Sequence, residues 1–266
     1  MSAAEARDRV REGRLRATGR LRLAARVTAL AGWLAACLVA HGAASLFGRG
    51  RLVPPVFLGG AARICRVRWQ IVGEPASEGA LFLANHVSWL DILALAGATG
   101  TTFVAKGDLR AAPVVGWLAS LHRTVFVERD ARMTIAQQVA AFRHALATER
   151  FLTLFPEGTT GDGHRLLPFK SAMLSVLDGR KGGAMVQPVL LDYGPATDEI
   201  AWIGEESGLG NARRILAGAG AIPLTIHVLE PLGAGELCDR KRAAAAAHRQ
   251  LSDRLARLRG AAATER

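Results

Sequence analysis

Residues 27–47 form an apolar run without a single Asp, Glu, Lys or Arg, and His41 is its only ionisable group besides Cys37. No other stretch constrains the fold as strongly. As a helix rising 1.5 Å per residue, the run reaches about 31 Å, enough to cross a bilayer core. It does not read as a cleaved signal, because the run and its basic leader are long and no small-x-small site follows. Gly48-Arg-Gly-Arg51 and Pro54-Pro55 interrupt it, and a shorter apolar stretch, 56–62, ends in Arg63, Arg66 and Arg68. Arginines on both sides leave the positive-inside rule without an orientation. The pattern predicts a shallow helical hairpin or interfacial helix that returns to the side it entered from. A single full span is the alternative.

The charge is concentrated at the ends. The formal net charge is +11, yet residues 1–26 hold eight arginines against three acids, and residues 239–266 hold eight bases against three acids. The body between them is nearly neutral, and the chain has one tyrosine. A nucleic-acid binder more often carries its basic patch on the folded body among aromatics, so nucleic acid is not an expected partner. Basic ends beside apolar sequence fit anionic membrane lipids. Half of the residues are hydrophobic, which excludes wholesale disorder. Cys37, Cys65 and Cys238 are odd in number and widely spaced, so they outline neither a zinc knuckle nor a redox pair. They read as reduced thiols of a cytosol-facing protein.

From Arg68 onward, short β-rich runs alternate with helical patterns. Strands are expected at 69–72, 80–84, 102–105, 124–127, 151–155, 185–191 and 224–229. Between two of them, Ile135, Val139, Phe142 and Leu146 recur at helical spacing. This alternation predicts an α/β fold, a layered mixed β-sheet flanked by helices, with an N-terminal hydrophobic helical membrane element. Pro188 within an apolar run predicts an edge, a strand start or a bulge. Leu251, Leu255 and Leu258 make an apolar stripe on a basic helix, which either docks on the body or lies on a membrane. The expected organisation is a basic arm and membrane-associated hairpin over 1–66, an α/β domain over 67–238, and a basic amphipathic helix over 239–266.

Four segments carry chemistry. In Asn85-His86-Val-Ser88-Trp-Leu-Asp91, Ser88 and Asp91 have capping-box spacing, which predicts Ser88 at a helix N-cap and Asp91 in the first turn. His86 then sits at a strand-to-helix crossing, where its ring can fold back to Asp91. A carboxylate on one ring nitrogen fixes the tautomer and raises the basicity of the other, making a general base without its own nucleophile. The run 151–155 ends abruptly in Pro156-Glu157-Gly158, and ligands gather at the carboxyl ends of strands in open α/β sheets. Lys106 and Arg129 end two other strand-like runs, where both can meet an anionic headgroup. The fourth segment is Gln187-Pro188-Val189.

In order and spacing, these blocks resemble the glycerolipid acyltransferases of the 1-acylglycerol-3-phosphate acyltransferase type. The resemblance covers about 68–195 and rests on H-x4-D at His86 and Asp91, followed some 70 residues later by Phe155-Pro-Glu-Gly-Thr159. It implies direct acyl transfer from an acyl carrier protein or coenzyme A thioester to a lysolipid hydroxyl, with no further cofactor and no metal. His86 and Asp91 are the implied catalytic pair. Asn85, Ser88, Lys106, Arg129, Glu157, Gly158 and Thr159 are the implied substrate-binding residues. Phosphate-monoester users commonly show an arginine after E-G-T, whereas Thr160 stands here. The segments 159–163, 167–171 and His122-Arg123-Thr124-Val125-Phe126-Val127 look like those of bacterial lyso-ornithine lipid O-acyltransferases. The implied acceptor is therefore lyso-ornithine lipid or 1-acylglycerol-3-phosphate, at the cytoplasmic face of a bacterial inner membrane, with the protein monotopic or hairpin-anchored. A hydrolase using the same histidine and a non-enzymatic basic membrane adaptor are the competing readings.

Overall fold

The computed structural model describes residues 17–76, 79–107, 110, 113–127, 140, 144–177 and 185–264. Every expected strand is present: β1 (Val67–Val72), β2 (Ala80–Ala84), β3 (Thr102–Lys106), β4 (Val125–Val127), β5 (Phe151–Leu154), β6 (Met185–Asp192) and β7 (Ile222–Val228). They form one sheet in the order β1-β7-β6-β2-β5-β3-β4. All neighbours are parallel except β6 and β7, so the sheet is mixed.

β2 lies near the centre and is buried along its whole length, which is why it reads as an unbroken apolar run rather than an alternating one. Its side chains still alternate between faces. Ala80, Phe82 and Ala84 join the core on one side, and Leu81 and Leu83 join the core on the other.

Pro188 corrects the expectation of an edge strand, because β6 is interior, between β7 and β2. Pro188 accepts from the Leu229 N–H at 3.0 Å but has no N–H to return across that antiparallel pair. The Gln187 side-chain amide donates to the Leu229 carbonyl at 2.9 Å instead. The same side chain also bonds Glu74 O and Ala76 N, tying down the segment after β1.

On one face lie α1 (Ala17–Leu46), α2 (Val53–Ile64), α3 (Leu90–Thr99) and α6 (Gly208–Ala217). Two further helices, α4 (Pro113–Leu121) and α5 (Thr197–Ile200), precede α6, and α7 (Arg240–Thr264) ends the described chain. α1 and α2 form a hairpin whose elbow turns at Gly48 (φ +69°) into a 3-10 turn, Gly50–Leu52. α1 starts ten residues before the charge-free run, at Ala17. Leu23 and Leu30 pack on the core, and Arg26 donates to the carbonyls of Leu216 and Gly218 at 2.5 and 2.8 Å. By length and composition α1 is able to cross a membrane. α2 meets α3 where Gly59 faces Gly97, and a Cβ on Gly97 would lie 2.3 Å from the Gly59 Cα. Only glycine permits that approach.

The opposite face is covered by α7 and the 3-10 segment Ser171–Leu177. Ala243, Ala247, Leu251 and Leu255 of α7 are buried, so the leucine stripe docks on the body. Its basic residues are largely engaged: Arg254 contacts His227, Arg259 reaches Gly163 O and Asp192, and Arg242 and Arg249 pair with Asp239 and Glu236. Of the helix expected after β4, residues 144–148 are helical and Leu146 is buried, while Ile135, Val139 and Phe142 lie outside the described residues.

Candidate active site

The order β6-β2-β5 brings three parallel strands together, so the loops leaving their carboxyl ends converge. β2 leads into His86, β5 into Glu157, and β6 into Tyr193.

His86 Nδ1 lies 2.8 Å from Asp91 Oδ2. The same oxygen accepts from the backbone N–H groups of Val87 and Ser88, at 2.7 and 2.9 Å. Oδ1 accepts from the Tyr193 hydroxyl at 2.7 Å. Asp91 is fully buried, and these four donors supply the compensation that a buried carboxylate requires. A carboxylate on Nδ1 sets the tautomer that leaves Nε2 as the proton acceptor. No described residue bonds Nε2, and the side chain keeps 17% of its surface exposed.

The capping pattern differs from the expectation. Trp89 stands at the N-cap in αR conformation with no side-chain bond, and Ser88 Oγ is 3.5 Å from the Leu90 N–H. Asp91 reaches back to the free donors of Val87 and Ser88 and does the work expected of Ser88. The serine has no proximity to solvent, being fully buried.

The β5 loop holds His86 from the other side. Phe155 stacks on the imidazole, with ring centroids 4.1 Å apart. Gly161 donates to the His86 carbonyl at 2.7 Å, and the His86 N–H donates to Glu157 Oε1 at 3.3 Å. Glu157 is buried beneath these loops, which it braces through that bond. Burial pushes its carboxyl from 4.5 up to about 8; Asp91 and Asp162 act in the same direction, against hydrogen bonds from His86 and Leu167. Asn85 is likewise committed to the scaffold. Its amide donates to Leu191 O and accepts from Leu191 N, at 3.1 and 2.7 Å, pinning the end of β2 to β6.

Gly158 adopts φ +69°, and the Lys170 ammonium lies over it, 3.0 Å from where a Cβ would stand. Thr159 is exposed. Thr160 donates its hydroxyl to Trp202 O at 2.5 Å. Lys106 closes β3 opposite Val127, at the same end of the sheet, and Arg129 lies outside the described residues. The structure therefore brings His86, Asp91, Glu157, Gly158 and Thr159 together, with Asn85 and Ser88 as internal supports.

Sequence reasoning missed Tyr193, Trp202 and Asn211. Tyr193 left a signal: it is the single tyrosine of the chain and directly follows an apolar strand. The Trp202 backbone bridges both loops, its amide N–H donating to Val87 O and its carbonyl accepting from the Thr160 hydroxyl. Asn211 accepts from the Trp89 indole at 2.9 Å. These two act only through tertiary contacts, and nothing in local spacing marks them.

Residues 68–192 match the family model described as Acyltransferase. A lyso-ornithine lipid O-acyltransferase of Brucella abortus (strain 2308) is 35% identical over 210 residues, covering 73% of this chain and 78% of that protein. A 1-acyl-sn-glycerol-3-phosphate acyltransferase of Neisseria gonorrhoeae is 40% identical over 126 residues, 46% of this chain and 48% of that one. Among solved structures, the 1-acyl-sn-glycerophosphate (LPA) acyltransferase PlsC from Thermotoga maritima shares the fold. Its TM-score is 0.68 at 19% identity, over 94% of this chain and 98% of that chain.

Proposed function

This chain belongs to the acyltransferase family, and from that premise we propose that it is a membrane-associated lysolipid O-acyltransferase using an acyl thioester as donor. The observation that carries the reading is the His86–Asp91 pair at 2.8 Å, with Nε2 unbonded by any described residue at the converging strand ends. In the proposed reaction, His86 Nε2 takes the proton from the lysolipid hydroxyl as its oxygen attacks the thioester carbonyl. The tetrahedral intermediate collapses, the C–S bond breaks, and the imidazolium returns its proton to the departing thiolate. Asp91 holds the imidazole in the productive tautomer and stabilises the imidazolium. Charge balance is thus kept within the pair, and no covalent acyl-enzyme is needed.

For the acceptor we favour lyso-ornithine lipid. The Brucella relative spans most of this chain. Position 160 carries a threonine hydroxyl bonded to Trp202 O, so it offers no guanidinium to a phosphate monoester. 1-Acylglycerol-3-phosphate is the second reading, supported by the Neisseria relative over the segment it shares. The donor is an acyl carrier protein or coenzyme A thioester. Because such thioesters are cytosolic, the body sits at the cytoplasmic face. α1 is held to the body at Leu23, Arg26 and Leu30, which supports a hairpin lying in the interface over a span surrounded by lipid.

The test is an acceptor panel. Detergent-purified protein receives a radiolabelled acyl thioester with lyso-ornithine lipid, 1-acylglycerol-3-phosphate or no acceptor. Transfer to lyso-ornithine lipid above the others supports the first reading. Transfer mainly to 1-acylglycerol-3-phosphate supports the second. Release of free fatty acid at equal rates in every tube replaces both with hydrolysis.

A further inference from the structure

α7 follows the segment 68–192 that carries the family match, yet one of its side chains reaches both neighbours of the catalytic pair. Arg259 Nη2 donates to Gly163 O at 3.2 Å and to Asp192 Oδ1 at 3.1 Å. Its Nε is buried without a partner among the described residues. An unmade bond of that kind costs free energy, so the two Nη2 bonds are what hold the guanidinium in place.

Each bond ends on a segment that touches the catalytic pair. Gly163 (φ +73°) is wedged between α5 and the His86 loop. A Cβ there would lie 2.6 Å from Thr197 Cγ2 and 3.2 Å from Val87 Cγ1, so glycine alone fits. Val87 directly follows His86 and donates its N–H to Asp91. At the other end, Asp192 Oδ1 also accepts from the Gly194 N–H at 3.0 Å. That turn carries Tyr193, whose hydroxyl bonds Asp91. The loop 159–163 has its other described fastenings at its start, where Thr160 bonds Trp202 O and Gly161 bonds His86 O. The bonds of Asp162 to the N–H groups of His164 and Arg165 are internal and fix the shape of the turn, not its placement. His164 pairs with Asp198, but the two side chains are 51% and 83% exposed, where an ion pair contributes little. The charge-assisted bond from Arg259 is therefore the strong fastening at the far end of this loop.

We propose that Arg259 is a positioning residue for the lysolipid acceptor. By clasping Gly163 to the end of β6, it fixes the 159–163 loop against His86 and Val87 and so sets the acceptor side of the site. The proposal rests on the acyl-transfer reading above. It gives α7 a part in acceptor binding besides its packing on the sheet.

The experiment compares three variants of the detergent-purified full chain. Arg259→Ala removes the clasp. Arg257→Ala removes the same charge from the exposed face of α7. Arg254→Ala removes the bond of α7 to His227 and touches neither loop. Steady-state transfer is measured with a radiolabelled acyl thioester and lyso-ornithine lipid, beside amide hydrogen exchange of the peptide covering 159–165. In Arg259→Ala, KM for the lysolipid should rise about fivefold or more, a part of what one charge-assisted hydrogen bond is worth. KM for the thioester and kcat should each stay within about threefold, because the His86–Asp91 pair keeps its own bonds. Exchange in 159–165 should quicken in this variant alone. Arg254→Ala should lower Tm and leave the lysolipid KM within about twofold, as should Arg257→Ala without the loss in Tm. A wild-type lysolipid KM in Arg259→Ala would overturn the proposal, and so would an equal rise in Arg254→Ala, which would reduce the effect to helix packing. Unchanged exchange in 159–165 would overturn the clasp whatever the reaction. A wild type that transfers to no lysolipid would overturn the acceptor role together with the acyl-transfer reading.

Discussion

Tyr193→Phe isolates one of the four bonds to the buried Asp91. The Tyr193 ring is 1% exposed, and its hydroxyl donates to Oδ1 at 2.7 Å. The substitution keeps the ring and its packing, so the change is confined to one charge-assisted hydrogen bond, worth about 1.5–3 kcal/mol. At roughly 2–4 °C per kcal/mol for a chain of this size, Tm should fall by about 3–12 °C in a thermal scan. Three donors remain on Oδ2, including His86 Nδ1, so the imidazole keeps its orientation. The expected loss in kcat is therefore about tenfold or less, with KM for both substrates unchanged. Asp91→Asn is the contrast. It removes the charge and the tautomer control and should cost on the order of 10³–10⁴ in kcat, as in other carboxylate–histidine pairs. A Tyr193→Phe protein as stable as wild type would show that the hydroxyl does not support Asp91. A kcat loss as deep as that of Asp91→Asn would refute its role as a support alone.

Glu157→Gln tests the buried carboxyl: the native state holds its proton up to about 8 while the unfolded chain releases it near 4.5. The native state thus binds more protons across that window, so wild-type stability should fall as pH rises from 4.5 to 8, by roughly 5 kcal/mol at most, and denaturant titrations of the glutamine variant should lack that component. Gly97→Val places a side chain where a Cβ already meets the Gly59 backbone at 2.3 Å, and should destabilise by about 1–3 kcal/mol or more, with earlier proteolysis of the hairpin in a time course. Leu251→Ala should cost about 2–5 kcal/mol by denaturant unfolding because that side chain is fully buried; a loss under 0.5 kcal/mol would mean that α7 is not held by this face.

The sheet was legible because its strands are short runs of β-branched and apolar residues, set apart by glycine, proline and charge. Strand order was not, since the return of β7 between β1 and β6 depends on contacts far apart in sequence. Pro188 misled for a physical reason: the donor it lacks is replaced by a neighbouring side chain, Gln187, which no propensity rule anticipates. The hairpin was legible from apolarity and its break at Gly48. Its docking was not, because it depends on Arg26 finding carbonyls at Leu216 and Gly218. Within the site, the spacing of His86 and Asp91 on a strand-to-helix crossing announced their contact. The same spacing could not show that Asn85 and Glu157 turn inward, since burial is decided by which strands lie beside β2.

The most direct measurement is the turnover of His86→Ala beside wild type, with saturating acyl thioester and lyso-ornithine lipid, and with Tm recorded for both. His86 is partly exposed and its loss leaves the bonds of Asp91 to Val87, Ser88 and Tyr193 in place. The account predicts a folded protein whose acyl transfer falls by about 10³-fold or more, removing a general base and its oriented proton transfer. A His86→Ala protein that melts like wild type and still transfers acyl groups at a comparable rate would contradict it.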